Sequence, residues 1–94
     1  MSDILYFEAL LGNTLIAAGD ARFKSKDTLD TLQAKYSRYG FFRCHRSYLV
    51  NMRYINKISH LFNNSYVVRL EGSALNIPVS RKNIKELKRL LGIE

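Results

Sequence analysis

Ninety-four residues predict one domain over positions 1–94, close to the size at which a single core becomes marginal. Hydrophobic residues at 47%, charged residues at 24%, one Pro and five Gly exclude a disordered tail, and no apolar run approaches the roughly 20 residues that span a bilayer. The net charge of +7 points to an anionic partner: nucleic acid, a membrane surface or an acidic protein.

The charge is polarised. No Asp or Glu occurs from Thr31 through Leu70, where Lys35, Arg38, Arg43, Arg46, Arg53, Lys57 and Arg69 fall, and Arg81, Lys82, Lys85, Lys88 and Arg89 follow. The start, Met1 to Phe7, lacks the basic-then-apolar order of a signal peptide, so a cytoplasmic location without membrane attachment is expected. The single cysteine, Cys44, has no partner for an internal disulfide and reads as a small core residue in a reducing compartment.

Taken in chain order, Ile4 to Leu11 is an apolar, β-favouring run, and Gly12-Asn13 ends it with turn chemistry. Thr14 to Ala18 returns, Gly19-Asp20 turns again, and Ala21 to Lys24 forms a third short strand, giving an antiparallel meander. Ser25 or Asp27 caps a helix with Leu29, Leu32, Tyr36 and Tyr39 at helical spacing, and Gly40 supplies its left-handed stop. Phe41 and Phe42 re-enter the core. Arg43 to Asn51 mixes basic, polar and apolar residues without a clear period and is predicted to be a short strand and an exposed loop.

Tyr54 to Phe62 and Tyr66 to Leu70 are strands joined by the turn cluster Asn63-Asn64-Ser65. After Glu71-Gly72-Ser73, the segment Ala74 to Val79 alternates Leu75, Ile77 and Val79 with polar or small residues, and Pro78 marks it as an edge strand. Ser80 caps a last helix whose Ile84, Leu87 and Leu91 face inward, closed by Gly92. The fold class is mainly β, with two short helices.

Catalysis is not expected. Cys44 and His45 are neighbours, and adjacent side chains on a strand point to opposite faces, so they are poorly placed to share a proton. One Cys with His45 and His60 on separate segments lacks zinc-site spacing, and the glycines sit singly at turns, so neither a metal nor a phosphate-bound cofactor is expected. A helix-turn-helix needs two adjacent helices, whereas these are about forty residues apart, so loops must do any base reading. Arginine bridges the guanine acceptor pair, asparagine pairs with adenine, and Lys, Ser and backbone N–H groups hold phosphates.

The segment Phe41-Phe42-Arg43-Cys44-His45-Arg46-Ser47-Tyr48-Leu49-Val50-Asn51, followed by Ile55 and Ile58, resembles the central signature of the LytTR family. In that signature an aromatic and a basic residue precede His-Arg-Ser and a Val-Asn pair. Ile77-Pro78-Val79-Ser80-Arg81 resembles the family's second signature, and Ile4-Leu5-Tyr6-Phe7-Glu8-Ala9 its first strand. The resemblance covers nearly the whole chain. It implies an elongated stack of small, mostly antiparallel β-sheets with two short flanking helices. It also implies sequence-specific duplex DNA binding for transcription regulation, as the output module of a bacterial two-component response regulator. Family members place loops in successive major grooves, and many bind direct repeats and bend the DNA.

Carried over by position, the base-contact candidates are Asn13, Arg46 and Arg81, and the phosphate candidates are Ser47, Lys57, Ser80 and Lys82. His45 and Asn51 are expected to shape loops, and Ser80 to combine a helix cap with phosphate binding at a positive helix terminus. Such domains usually follow a phosphorylated receiver domain, which is an expected partner outside this chain. The isolated domain is expected to be monomeric, since its charge disfavours self-association and no heptad seam is visible.

Two rival readings have tests of their own. A single-stranded nucleic-acid or RNA binder would expose Tyr6, Phe7, Tyr48 or Tyr54 as stacking platforms. A module for an acidic protein would tolerate Lys at Arg46 and Arg81, where bidentate guanine reading would not.

Overall fold

A computed structural model describes residues 3–93. Eight strands form two antiparallel sheets. The first has the order β3-β2-β1-β5-β4, from β1 (Ile4–Leu10), β2 (Asn13–Ala18), β3 (Ala21–Ser25), β4 (Phe41–His45) and β5 (Tyr48–Asn51). The second has the order β6-β7-β8, from β6 (Ile55–His60), β7 (Tyr66–Leu70) and β8 (Ile77–Val79). Helix α1 (Leu29–Tyr36) and helix α2 (Arg81–Leu91) flank them, and the principal extents are 34 × 26 × 24 Å.

Strands β1, β4 and β5 of the first sheet bury side chains on both faces, and strand alternation sorts them. On one side Phe7, Leu49 and Phe41 pack with Leu29 and Leu32 of α1, and the Phe7 ring stacks on Tyr36 with centroids 5.5 Å apart. On the other side Tyr6, Ala17, Cys44 and Val50 meet Val68, Leu70, Ile77 and Val79 of the second sheet and Leu87 of α2. Fully burying a side chain of the size of Phe7, Leu49 or Leu87 contributes roughly 2–3 kcal/mol, so these layers hold the strands in register.

Several local expectations shift. The first turn is Leu11-Gly12, one residue earlier than Gly12-Asn13, with Asn13 already on β2 opposite Leu10. The cap of α1 is Thr28, whose Oγ1 accepts from the Thr31 N–H at 3.2 Å, while Ser25 Oγ instead accepts from the Asp27 N–H. The helix ends at Tyr36, a 3₁₀ turn follows, and Tyr39 is exposed, so it does not join the apolar stripe; Gly40 takes the left-handed stop at φ 89°.

Arg43 to Asn51 is a hairpin, not a strand with a loop: β4 and β5 pair across the two-residue turn Arg46-Ser47. The strand predicted over Ala74 to Val79 begins only at Ile77. Ser73 Oγ accepts from the Leu75 N–H and holds the segment in a turn, and Leu75 is exposed. Ser80 occupies the N-cap position of α2, and its side chain makes no capping hydrogen bond.

Candidate nucleic-acid interface

Three segments converge at one end of the first sheet: the β1–β2 turn, the β4–β5 turn and the start of α2. The first two are tied by a hydrogen bond from the Ala9 N–H to the Ser47 carbonyl at 2.9 Å. The start of α2 is pinned to β4, because the Ser80 N–H and the Asn83 side-chain amide both donate to the Cys44 carbonyl, at 2.8 and 3.3 Å. Any displacement of β4 therefore moves the helix terminus with it.

The β4–β5 turn is held from inside by Arg43. Its Nε donates to the His45 carbonyl at 3.0 Å and its Nη2 to the Arg46 carbonyl at 2.6 Å. Its Nη1 donates to Asp30 Oδ1 and Gln33 Oε1, both at 2.9 Å, so the same guanidinium anchors the turn to α1. The planar fork reaches the two turn carbonyls and the helix at once, which an ammonium cannot do. Arg43 is thus spent on the turn, and Arg46 is left exposed at its tip.

His45 completes the turn by accepting the Ser47 N–H at Nδ1, 3.1 Å away. Burial, then the neighbouring charges of Arg46 and Arg43, push its imidazole below the usual histidine range, so it stays neutral and able to accept. Asn51 sits buried at the other end of β5. Its amide donates to the Ile4 carbonyl at 2.9 Å and its Oδ1 accepts from the Arg53 N–H at 3.1 Å, locking β5 to β1 and opening a 3₁₀ turn.

A depression of about 450 Å³ lies between the β4–β5 turn and α2, lined by His45, Arg46, Ser80 and Lys82 together with Arg43 and Asp30. Arg43 and Asp30 also line a neighbouring depression of about 360 Å³ that contains Leu11, Gly12 and Asn13. The structure thus brings Asn13, Arg46, Ser80 and Lys82 onto one continuous face. Arg81, exposed, begins α2 beside Lys82. Ser47 lies half-buried in the turn with both its N–H and its carbonyl engaged by protein.

Lys57 lies elsewhere. It lines a hollow with Leu91 and Ile93 at the far end of α2, roughly 15 Å along the helix from Arg81 at 1.5 Å per residue. Sequence reasoning missed the positioning roles of Arg43 and Asn83. Arg43 was one cation in a basic run, and nothing in such a run marks the member that turns inward.

Cys44 is fully buried on the core face of β4, and desolvation pushes its thiol up to about 12. Among the described residues no three His, Cys, Asp or Glu side chains come together to hold a metal ion, and no helix is long and apolar enough to cross a membrane. What the face presents is exposed arginine and lysine, an exposed asparagine, and the N-terminal end of an eleven-residue helix that has no side-chain cap.

Comparison with known proteins matches residues 1–92 to the family model described as the LytTr DNA-binding domain. The chain is 39% identical over 92 residues to the sensory transduction protein LytT of Bacillus subtilis and 34% identical over 91 residues to the transcriptional regulatory protein YpdB of Escherichia coli. Each match covers 97% of this chain and 37% of the relative, so the chain spans little more than a third of the length of these proteins. A solved LytTr DNA-binding domain from Bacillus cereus superposes with a TM-score of 0.85 at 26% identity, covering 97% of this chain and 83% of the other.

Proposed function

The chain belongs to the LytTR family of DNA-binding domains found in transcriptional regulators, and we propose that it reads successive major grooves of duplex DNA through loops, as the output module of a two-component response regulator. The observation that carries this reading is the convergence on one face of Asn13, the first residue of β2, Arg46, in the β4–β5 turn, and Ser80 and Lys82, at the start of α2.

In this reading Arg46 and Arg81 bridge guanine acceptors and Asn13 pairs with adenine. Ser47, Ser80 and Lys82 hold phosphates, with the N–H groups of the first α2 turn adding partial positive charge. Lys57, on β6 beside the far end of α2, meets a phosphate only on a duplex bent around the domain. Direct-repeat sites suit a domain that is monomeric when free and pairs only on DNA, with phosphorylation control residing in a receiver domain outside these residues.

The four rings a single-strand binder would expose are withdrawn from solvent to different degrees. Tyr6 and Phe7 are buried, the Tyr48 hydroxyl donates to Glu8 Oε2 at 2.8 Å with its ring against Tyr6, and Tyr54 is half-buried against the same core, which favours the duplex reading over stacking on these four.

The test is selection of bound duplexes from a random pool, followed by salt titration. Arg46→Ala and Arg81→Ala should each cost on the order of 1–3 kcal/mol and relax preference at one separate stretch of the motif. Lys82→Ala should weaken all sequences alike and lower the salt slope by about one unit. Affinity that stayed flat across salt, or a preference for single strands, would refute the reading. Uniform loss in both arginine variants with an unchanged motif would move them from base contacts to backbone contacts.

A further inference from the structure

Among the described residues only three other than glycine have positive φ: Leu11 at 51°, Asn63 at 61° and Asn64 at 58°. Asparagine tolerates left-handed backbone through local hydrogen bonding, whereas a leucine there is strained by its Cβ and gains nothing in return. At Leu11 burial offers no compensation, since the side chain is 91% exposed. The flanking pair Leu10 and Asn13 leaves a two-residue hairpin turn with positive φ at both Leu11 and Gly12, a geometry for which Asn-Gly is the favoured sequence. The chain keeps the glycine and sets an aliphatic side chain at the tip.

That tip is not remote from the candidate interface. Leu11 lines the same depression as Asn13 and Arg43, and the Ala9–Ser47 hydrogen bond fixes its hairpin against the turn that carries Arg46. Of the base edges in the major groove, only thymine presents a methyl group, and an apolar side chain is what meets it. We propose that Leu11 is a specificity-determining residue that packs on a thymine 5-methyl group beside the base contacted by Asn13. The assignment rests on the reading that this turn enters the major groove, and it goes beyond that reading by adding an apolar contact to the polar ones.

The experiment replaces each thymine of the selected duplex in turn by deoxyuridine, which removes only the methyl group, and measures affinity for the wild-type domain and for Leu11→Asn and Leu11→Met. One position should weaken wild-type binding about fourfold, the value of one buried methyl-sized group. Leu11→Asn should bind the two duplexes equally while melting no lower than wild type, because asparagine suits the turn; Leu11→Met should keep the discrimination. The inference falls if the motif contains no thymine, if no thymine position is sensitive, or if Leu11→Asn retains the discrimination. A lower melting temperature for Leu11→Asn would overturn the strain argument beneath it. If no duplex motif were enriched at all, the parent reading would fall together with the inference; an enriched motif without methyl sensitivity would remove the inference alone.

Discussion

Replacing Arg43 by lysine keeps the net charge and removes the fork. Its two bonds to the carbonyls of His45 and Arg46 are charge-assisted, a class worth about 1.5–3 kcal/mol each. Both carbonyls lie in a surface turn, where water re-satisfies part of the loss, and a lysine ammonium can retain one of them. The ion pair to Asp30 adds less than about 1 kcal/mol, because the Asp30 side chain is 89% exposed. The net cost of Arg43→Lys is therefore about 2 kcal/mol, which for a domain of this size lowers the melting temperature by roughly 10 °C.

The functional consequence is more selective than the thermal one. With the turn no longer braced, Arg46 loses its fixed direction, so preference at its own stretch of the motif should relax while the Arg81 stretch and the salt slope stay as in wild type. Thermal denaturation by circular dichroism and duplex selection on the same variant read the two effects. If Arg43→Lys kept both the stability and the motif of wild type, strand pairing and His45 alone would set the turn, and the bracing role would be wrong.

Asn51, His45 and Cys44 each carry a further expected outcome. Asn51→Ala leaves the Ile4 carbonyl and the Arg53 N–H without their partner and should cost about 2 kcal/mol in urea denaturation with no change in motif; a neutral result would mean that water replaces both bonds. His45 has its folded pKa below the unfolded value of about 6.5, so the folded state binds fewer protons. Stability should hold above that pH and decline as pH falls through the folded value, and His45→Gln should flatten this part of the profile; parallel profiles would remove His45 as the cause. The Cys44 thiol, buried and raised to about 12, should resist alkylation at pH 8 until urea unfolds the chain, and labelling at the rate of a free thiol would contradict its packing.

What the sequence makes legible follows physical simplicity. Helix α2 reads cleanly because Leu87 is buried with Ile84 and Leu91 beside it, at a period only a helix satisfies, and Gly92 supplies its left-handed stop. The hairpin Arg43 to Asn51 does not read as one because β5 is interior: Leu49 packs toward α1 and Val50 toward the second sheet, so both faces are apolar and the period-two signal vanishes. The slip at Gly12-Asn13 has a local cause. Turn chemistry assigns asparagine to the turn, while the chain puts Leu11 there. Among the candidate residues, position along the chain located the turns that carry Arg46 and Ser80, but could not show that Lys57 lies at the other end of α2 or that Arg43 faces inward.

Each sheet ends in two edges, and these are not equivalent. The β4 and β8 edges meet within the molecule, where the Cys44 carbonyl takes the Ser80 N–H and the Cys44 Sγ donates to the Pro78 carbonyl at 3.5 Å. That leaves β3 and β6 with an open side, and they carry the exposed cations Arg22, Lys24 and Lys57. Unguarded strand edges invite addition of another chain's strand, and like charges along them repel it. Two copies that approached edge to edge would therefore meet across like charges, which opposes the joining of their sheets into one.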